Sequence, residues 1–234
     1  MKKLLLMAFA FFCITQLLAQ DSKEEKSFRF GLTISPNVGW MKPDAIGYAK
    51  KGAKLGYSYG LMAEFSITDN YLFATGISLP TISGSFTKNV LNYAPTPSGD
   101  SVRNNAQFDY KLQYVCIPLT LKMKTKDINK MRFYGQFGVE PGFNINQKVN
   151  AAAGPNEGIT VNPNNSSSEF KDFNDNIGFI RASLVVGGGM EYSLGGSTSL
   201  VGGLSFNNGF IDISKEKTLK LTNSFVSLNL GILF

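Results

Sequence analysis

The chain has 234 residues, with 23 Lys and Arg against 17 Asp and Glu, a formal net charge of +6. It has no histidine, which removes the commonest general base and the commonest metal ligand, and only two cysteines. The charge is too mild to imply a nucleic-acid partner. A mean hydropathy of −0.03 suits either an exported soluble β-protein or a membrane barrel whose two faces cancel.

Lys2 and Lys3 precede an apolar run from Leu4 to Leu18 that ends at "LLAQ". This is the pattern of a signal peptide cleaved after Ala19, and the run falls short of the roughly 20 apolar residues of a spanning helix. Cys13 lacks the small preceding residue of a lipoprotein cysteine. Residues 1–19 are therefore read as an export signal and 20–27 as a charged periplasmic leader. Without residues 1–19 the chain keeps 21 basic and 17 acidic residues, a net +4. Cys116 is then the one cysteine left, so no intramolecular disulfide can form.

The rest, 28–234, reads as one all-β domain. Eight segments with period-2 patterning run over about 28–40, 55–68, 71–87, 108–124, 131–147, 175–194, 198–212 and 221–234. Short links, "TDN", "KTKDINK" and "LGGST", alternate with longer ones at 41–54, 88–107 and 148–174. An up-and-down antiparallel order sends short turns to one rim and long, mobile loops to the other, as in outer-membrane barrels. A soluble up-and-down barrel of the lipocalin kind is the structural alternative.

The second face of each strand separates the two. Val226, Leu228, Leu230, Ile232 and Phe234 alternate with Ser227, Asn229 and Gly231. The segment at 131–147 sets Phe133, Phe137, Val139, Phe143 and Ile145 against Tyr134, Gln136, Glu140 and Asn144. A soluble barrel would carry abundant Lys, Glu and Asp on the polar face. Gly, Ser, Asn and Gln with rare charges suit instead the crowded lumen of an eight-stranded barrel, which side chains fill. Glu64, Glu140 and Glu191 are expected to meet Arg29 and Arg181 in a lumenal charge network, because an unpaired buried charge is strongly penalised.

Aromatics gather at strand ends and imply two interfacial belts. Trp40, Tyr57, Tyr59, Phe86, Phe108, Tyr110, Phe179, Phe206 and Phe225 form one. Phe28, Phe30, Tyr71, Phe73, Phe133, Tyr192 and Phe234 form the other. In "FDYKLQYVCIPLTLKMKT" the apolar parity changes near Cys116, and Pro118 cannot donate to a ladder, so a bulge is expected there. Cys116 reads as a buried, inert thiol. The glycines of "GGGMEYSLGG" continue as a strand and relieve lumenal crowding; no helix follows them to cradle a phosphate. The three glutamates read as structural, so no catalytic, metal or cofactor residues are assigned. The lysines of "KKGAK" and "KEKTLK" are solvated or touch anionic lipopolysaccharide phosphates.

"KLQYVCIPLTLKMKT" resembles the K-x-x-Y-x-x-I-P-L-x-x-K signature of the PorT-like outer-membrane β-barrel proteins of Bacteroidetes. "FYGQFGVEPGFNI", "GGGMEYSLG" and "LSFNNGFIDI" are similar to further strand motifs of that family. Lys111, Tyr114, Ile117, Pro118 and Leu119 match framework positions, and no catalytic residue is carried over. The resemblance implies an outer-membrane location and, for some relatives, a part in protein secretion.

The expected protein is thus an eight-stranded antiparallel up-and-down transmembrane β-barrel in the cell outer membrane. Its expected role is structural or interactive, through external loops, and not enzymatic. A secretion accessory or a narrow pore is the alternative; a membrane-embedded enzyme is a third reading, weakened by the absence of histidine. Expected partners are outer-membrane lipid and lipopolysaccharide, the barrel-insertion machinery acting on Phe234 as a terminal signal, and a secretion-system or surface partner.

Overall fold

The structure is a computed structural model that describes residues 27–92, 102–152, 160–161, 177–216 and 218–234. The export signal expected at 1–19 and all but the last residue of the 20–27 leader lie outside the described residues. Eleven strands follow one another. They are β1 (Phe28–Asp44), β2 (Tyr48–Ser66), β3 (Tyr71–Ser78), β4 (Thr81–Asn92), β5 (Val102–Cys116) and β6 (Leu119–Lys124), then β7 (Met131–Ala152), β8 (Thr160–Val161), β9 (Ile180–Gly195), β10 (Thr198–Gly209) and β11 (Lys220–Leu233).

All pairings are antiparallel, and they return on themselves. β1 pairs with β2 on one side and β11 on the other, β11 with β10, β10 with β9 and β9 with β7. β7 then pairs with β5 and β6, these with β4 and β3, and these with β2. The closed sheet has no free edge along this circuit, so its backbone donors and acceptors are satisfied internally, as a bilayer requires. Both ends of the described chain, Ser27 and Phe234, lie at the rim that carries the short turns; this is called the near end below, and the opposite rim the far end. There the amide of Phe234 donates to the carbonyl of Phe30 (2.8 Å) and their rings pack at a tilt with centroids 5.6 Å apart.

Two expected segments are each split in two by a proline. Leu79–Pro80 separates β3 from β4 and Ile117–Pro118 separates β5 from β6. Neither proline can donate to a ladder. The register nevertheless carries through: Thr75 faces Leu119, Ser78 faces Cys116 and Thr81 faces Gln113, three residues apart on both strands. The bulge expected near Pro118 is not there. The irregularity lies in the β5–β7 ladder between Gln113 and Tyr114, where Ile145 of β7 is the extra residue. Nor does the parity change. Phe108, Tyr110, Leu112, Tyr114, Cys116, Thr120, Lys122 and Lys124 all turn inward and are buried. What changes along that face is its chemistry, from apolar to charged.

The strands also run further than the patterning suggests. Of the loop expected at 41–54, only Ala45–Gly47 is a turn, with Gly47 at φ +83°. β4 and β5 extend to Asn92 and from Val102, and β7 to Ala152. Residues 93–101, 153–159 and 162–174 of the expected loops lie outside the described residues.

Outward positions over the middle of the wall are apolar, among them Leu32, Ile34, Leu61, Val186, Leu204 and Leu228. The inner face differs from end to end. Toward the far end it is an apolar core of Met41, Ile82, Phe86, Phe108, Tyr110, Leu112, Tyr114, Val149, Ile213, Leu221 and Phe225. β1 and β4 approach closely across it: a Cβ on Gly39 would lie 2.8 Å from the carbonyl oxygen of Ser83, and one on Gly84 2.7 Å from the amide nitrogen of Met41. Glycine at these two positions lets the two strands that flank β2 touch, and the apolar core fills the lumen beside them. Four of the expected belt aromatics, Phe86, Phe108, Tyr110 and Phe225, belong to this core and not to the lipid boundary. Tyr57, Tyr59, Phe179 and Phe206 are exposed on the outside, as are Phe30, Tyr71, Phe73, Phe133, Tyr192 and Phe234.

Candidate functional site

The chemistry of the interior divides into two charged clusters. In the first, at the near end, Arg29 and Glu64 are direct cross-strand partners on β1 and β2 and form an ion pair. Arg29 also donates to Glu191 of β9, Nη1 to Oε2 at 3.1 Å. Lys122 of β6 completes the bridge, with Nζ 2.5 Å from Glu64 Oε1 and 2.6 Å from Glu191 Oε1, and it sits 4.1 Å from the centroid of Tyr134. Lys124 approaches Glu191 at 3.8 Å. Three cations thus share two carboxylates, all nearly shut off from solvent. The multiple contacts offset the desolvation that would otherwise expel them.

The second cluster lies nearer the apolar core. Arg181 of β9 is fully buried; its Nε donates to Asn223 Oδ1 (2.7 Å) and its Nη1 to Glu140 Oε1 (3.2 Å). Asn207 Nδ2 donates to the same Glu140 oxygen at 3.0 Å. The guanidinium also packs over the rings of Phe225 and Tyr114, at 5.3 and 5.8 Å. Between the clusters lies a cavity of about 130 Å³. Glu64 and Lys122 line one side of it, Glu140 and Asn207 another, with Ser35, Ser58, Ser205 and Ser227 between.

The five charged residues expected in one network therefore fall into two groups. Arg29, Glu64 and Glu191 meet at the near end, and Glu140 meets Arg181 deeper inside. Lys122 and Lys124 were not drawn into the expected network, because the alternation of their segment was read as broken near Cys116. Counting in twos from Phe108 without a slip points both lysines inward. Asn207 and Asn223 carried no signal beyond polar residues on a lumenal face.

Glycines make room for this filling. A Cβ on Gly189 would come within 2.8 Å of the Tyr134 hydroxyl, and Gly203 abuts the same oxygen. Cys116 is a free, buried thiol. The three glutamates do not converge on an open site: Glu64 and Glu191 are clamped by shared cations, and Glu140 belongs to the other cluster. Among the described residues no group of three or more Cys, Asp or Glu is placed to hold a metal ion.

The sheet is similar to several solved outer-membrane structures at low identity. Neisserial surface protein A is 14% identical with a TM-score of 0.48, over 89% of this chain and 96% of that one. OprG from Pseudomonas aeruginosa is 12% identical with a TM-score of 0.43, over 92% and 99%. The outer membrane protease OmpT from Escherichia coli is 7% identical with a TM-score of 0.39, over 93% and 99%. No curated protein matches the chain. The model of one family, described as outer membrane protein beta-barrel domain, matches residues 18–215. With its closed antiparallel sheet, apolar outer wall and polar, ion-paired inner wall, the chain belongs to the outer membrane protein beta-barrel domain family and resides in the cell outer membrane.

Proposed function

We propose that the protein is a small, non-conducting outer-membrane barrel whose role is structural or interactive, exercised through the end that projects beyond the bilayer. In this reading the sheet counts as eight staves, since β3 and β4 share one register, as do β5 and β6, and β8 is a short flap on β7. Residues 1–19 are the export signal and 20–27 the periplasmic leader. The near end faces the periplasm, in keeping with its short turns.

The observation that carries the reading is the filled interior. The near-end ion cluster, a cavity of about 130 Å³ and a far-end apolar core lie in series along the axis, and Gly39 and Gly84 let β1 and β4, the two strands that flank β2, touch. Such a lumen offers neither a solute path nor a substrate cleft. Strands that continue past the outer aromatic belt form a stiff platform to meet a surface partner. Lipid and lipopolysaccharide surround the barrel, and the insertion machinery reads its C-terminal strand. The PorT-like signature "KLQYVCIPLTLK" supports an accessory part in protein secretion as the second reading.

Planar-bilayer recording of the purified barrel tests the first reading. The expected result is a silent bilayer in the presence of verified insertion; discrete conductance steps would overturn it in favour of a narrow pore.

A further inference from the structure

On the outer wall, just beyond the half-buried Trp40 and the exposed Tyr57, β1, β2 and β5 carry five lysines. Lys50 Nζ lies 5.2 Å from the Trp40 ring centroid and Lys111 Nζ lies 5.8 Å from that of Tyr57. Lys54 reaches Asp109 (2.7 Å) and Lys51 donates to Gln107 Oε1 (2.6 Å). Lys42 continues the outward face of β1. Against these stand two carboxylates, Asp44 and Asp109. The adjoining β10–β11 connection has no such bias: Asp212 and Glu216 alternate there with Lys215 and Lys220. Immediately below the lysines the wall is apolar, with Leu55 81% and Val38 41% exposed.

We propose that this wall binds the phosphorylated headgroup of an outer-leaflet glycolipid. The patch faces sideways, at the height where apolar wall gives way to polar. Its neighbour there is the lipid headgroup layer, not a soluble protein approaching from above. Ammonium groups act as point charges toward phosphate. The rings of Trp40 and Tyr57 hold two of them against the wall, which reduces the ordering entropy that binding would otherwise require. Leu55 and Val38 lie where the acyl chains of the same lipid would begin. This deepens the lipid contact proposed above by naming the strands and lysines that make it, on the wall itself and not in the loops.

The test uses the full barrel in detergent with bisphosphorylated lipid A as probe, and bound lipid is counted by native mass spectrometry. The unmodified barrel is expected to retain the lipid. The Lys50→Gln/Lys54→Gln/Lys111→Gln variant should retain it at least about tenfold more weakly. Dephosphorylated lipid A should not be retained, added salt should weaken the complex, and Lys126→Gln/Lys130→Gln, in the exposed β6–β7 turn at the near end, should bind normally. The corresponding triple Lys→Arg variant keeps the charge and should restore binding, which separates charge from any folding defect. Equal retention by the unmodified and triple Gln barrels, or equal retention of dephosphorylated lipid, would overturn the proposal. Neither result would disturb silent insertion into phosphatidylcholine bilayers, on which the proposed function rests.

Discussion

Lys122 and Glu64 meet inside the barrel wall, Nζ to Oε1 at 2.5 Å, with neither side chain appreciably open to solvent. Their contact is one link in a cluster of three cations around two carboxylates, so the carboxylates are the scarce partners. Glu191→Gln leaves Arg29, Lys122 and Lys124 with a single counter-charge. Its expected cost is about 3–5 kcal/mol. Lys124→Met removes the surplus cation and should cost far less. Urea titration of the folded, heat-modifiable band on SDS gels measures both, and equal losses would contradict this division of roles.

The space beside Tyr134 gives a second expectation. A methyl group on Gly203 collides with the Tyr134 hydroxyl and approaches the Gly188 carbonyl oxygen at 2.7 Å. Gly203→Ala should destabilise the barrel by about 1–3 kcal/mol through overpacking. Adding Tyr134→Phe should recover part of the loss, the backbone contact remaining. Denaturant midpoints of the single and double variants decide it; no recovery at all would show that the hydroxyl is not the obstacle.

Phe108 and Phe206 distinguish the core from the belt. Phe108 is buried among far-end core residues, whereas Phe206 stacks on Trp40 outside, with ring centroids 6.0 Å apart. Phe108→Trp should therefore cost about 1–3 kcal/mol. Phe206→Trp should be nearly neutral, because the interfacial belt accepts tryptophan. The same gel titration reports the difference.

Phe234 anchors the last strand at the near rim through its amide and its ring contact with Phe30. Deleting it should lower the amount of barrel assembled in cells while leaving refolding into detergent close to normal. Cell fractionation and in vitro refolding yields give the two readouts. Normal assembly without Phe234 would remove its role as a signal.

Much of this was legible where two chemistries alternate cleanly. In β11, Val226, Leu228 and Leu230 point out and Ser227 and Asn229 point in, as the period-2 pattern implies. The pattern failed where the inner face ceases to be polar. From Phe108 to Cys116 the alternation is inverted: Phe108, Tyr110, Leu112 and Tyr114 point in while Asp109, Lys111 and Gln113 point out, so taking the apolar side as the outer one demanded a slip near Cys116 that the strand does not make. It failed again over 48–54, Tyr-Ala-Lys-Lys-Gly-Ala-Lys, where a strand with no buried residue on either face shows no apolar alternation and looks like a loop. Arg29 and Glu64 were recognisable as lumenal charges because each interrupts an inner face of small residues; their separation from Glu140 and Arg181 depends on height along the axis, which alternation does not encode.

That change along the axis makes one wall obey two opposite rules. Near the rim of the short turns the sheet is inside out, oily on its exterior and ionic within. Past Trp40 it turns right side out, with Lys42, Lys51, Lys111 and Lys148 outside and Met41, Phe86 and Phe108 within. The upper half is in effect a water-soluble β-protein grown from the same strands. Stripping the lipid should deprive only the lower half of its natural solvent. Amide hydrogen exchange in thinning detergent should accordingly loosen the barrel from its oily girdle first, while the amides around Phe86 and Phe108 exchange last.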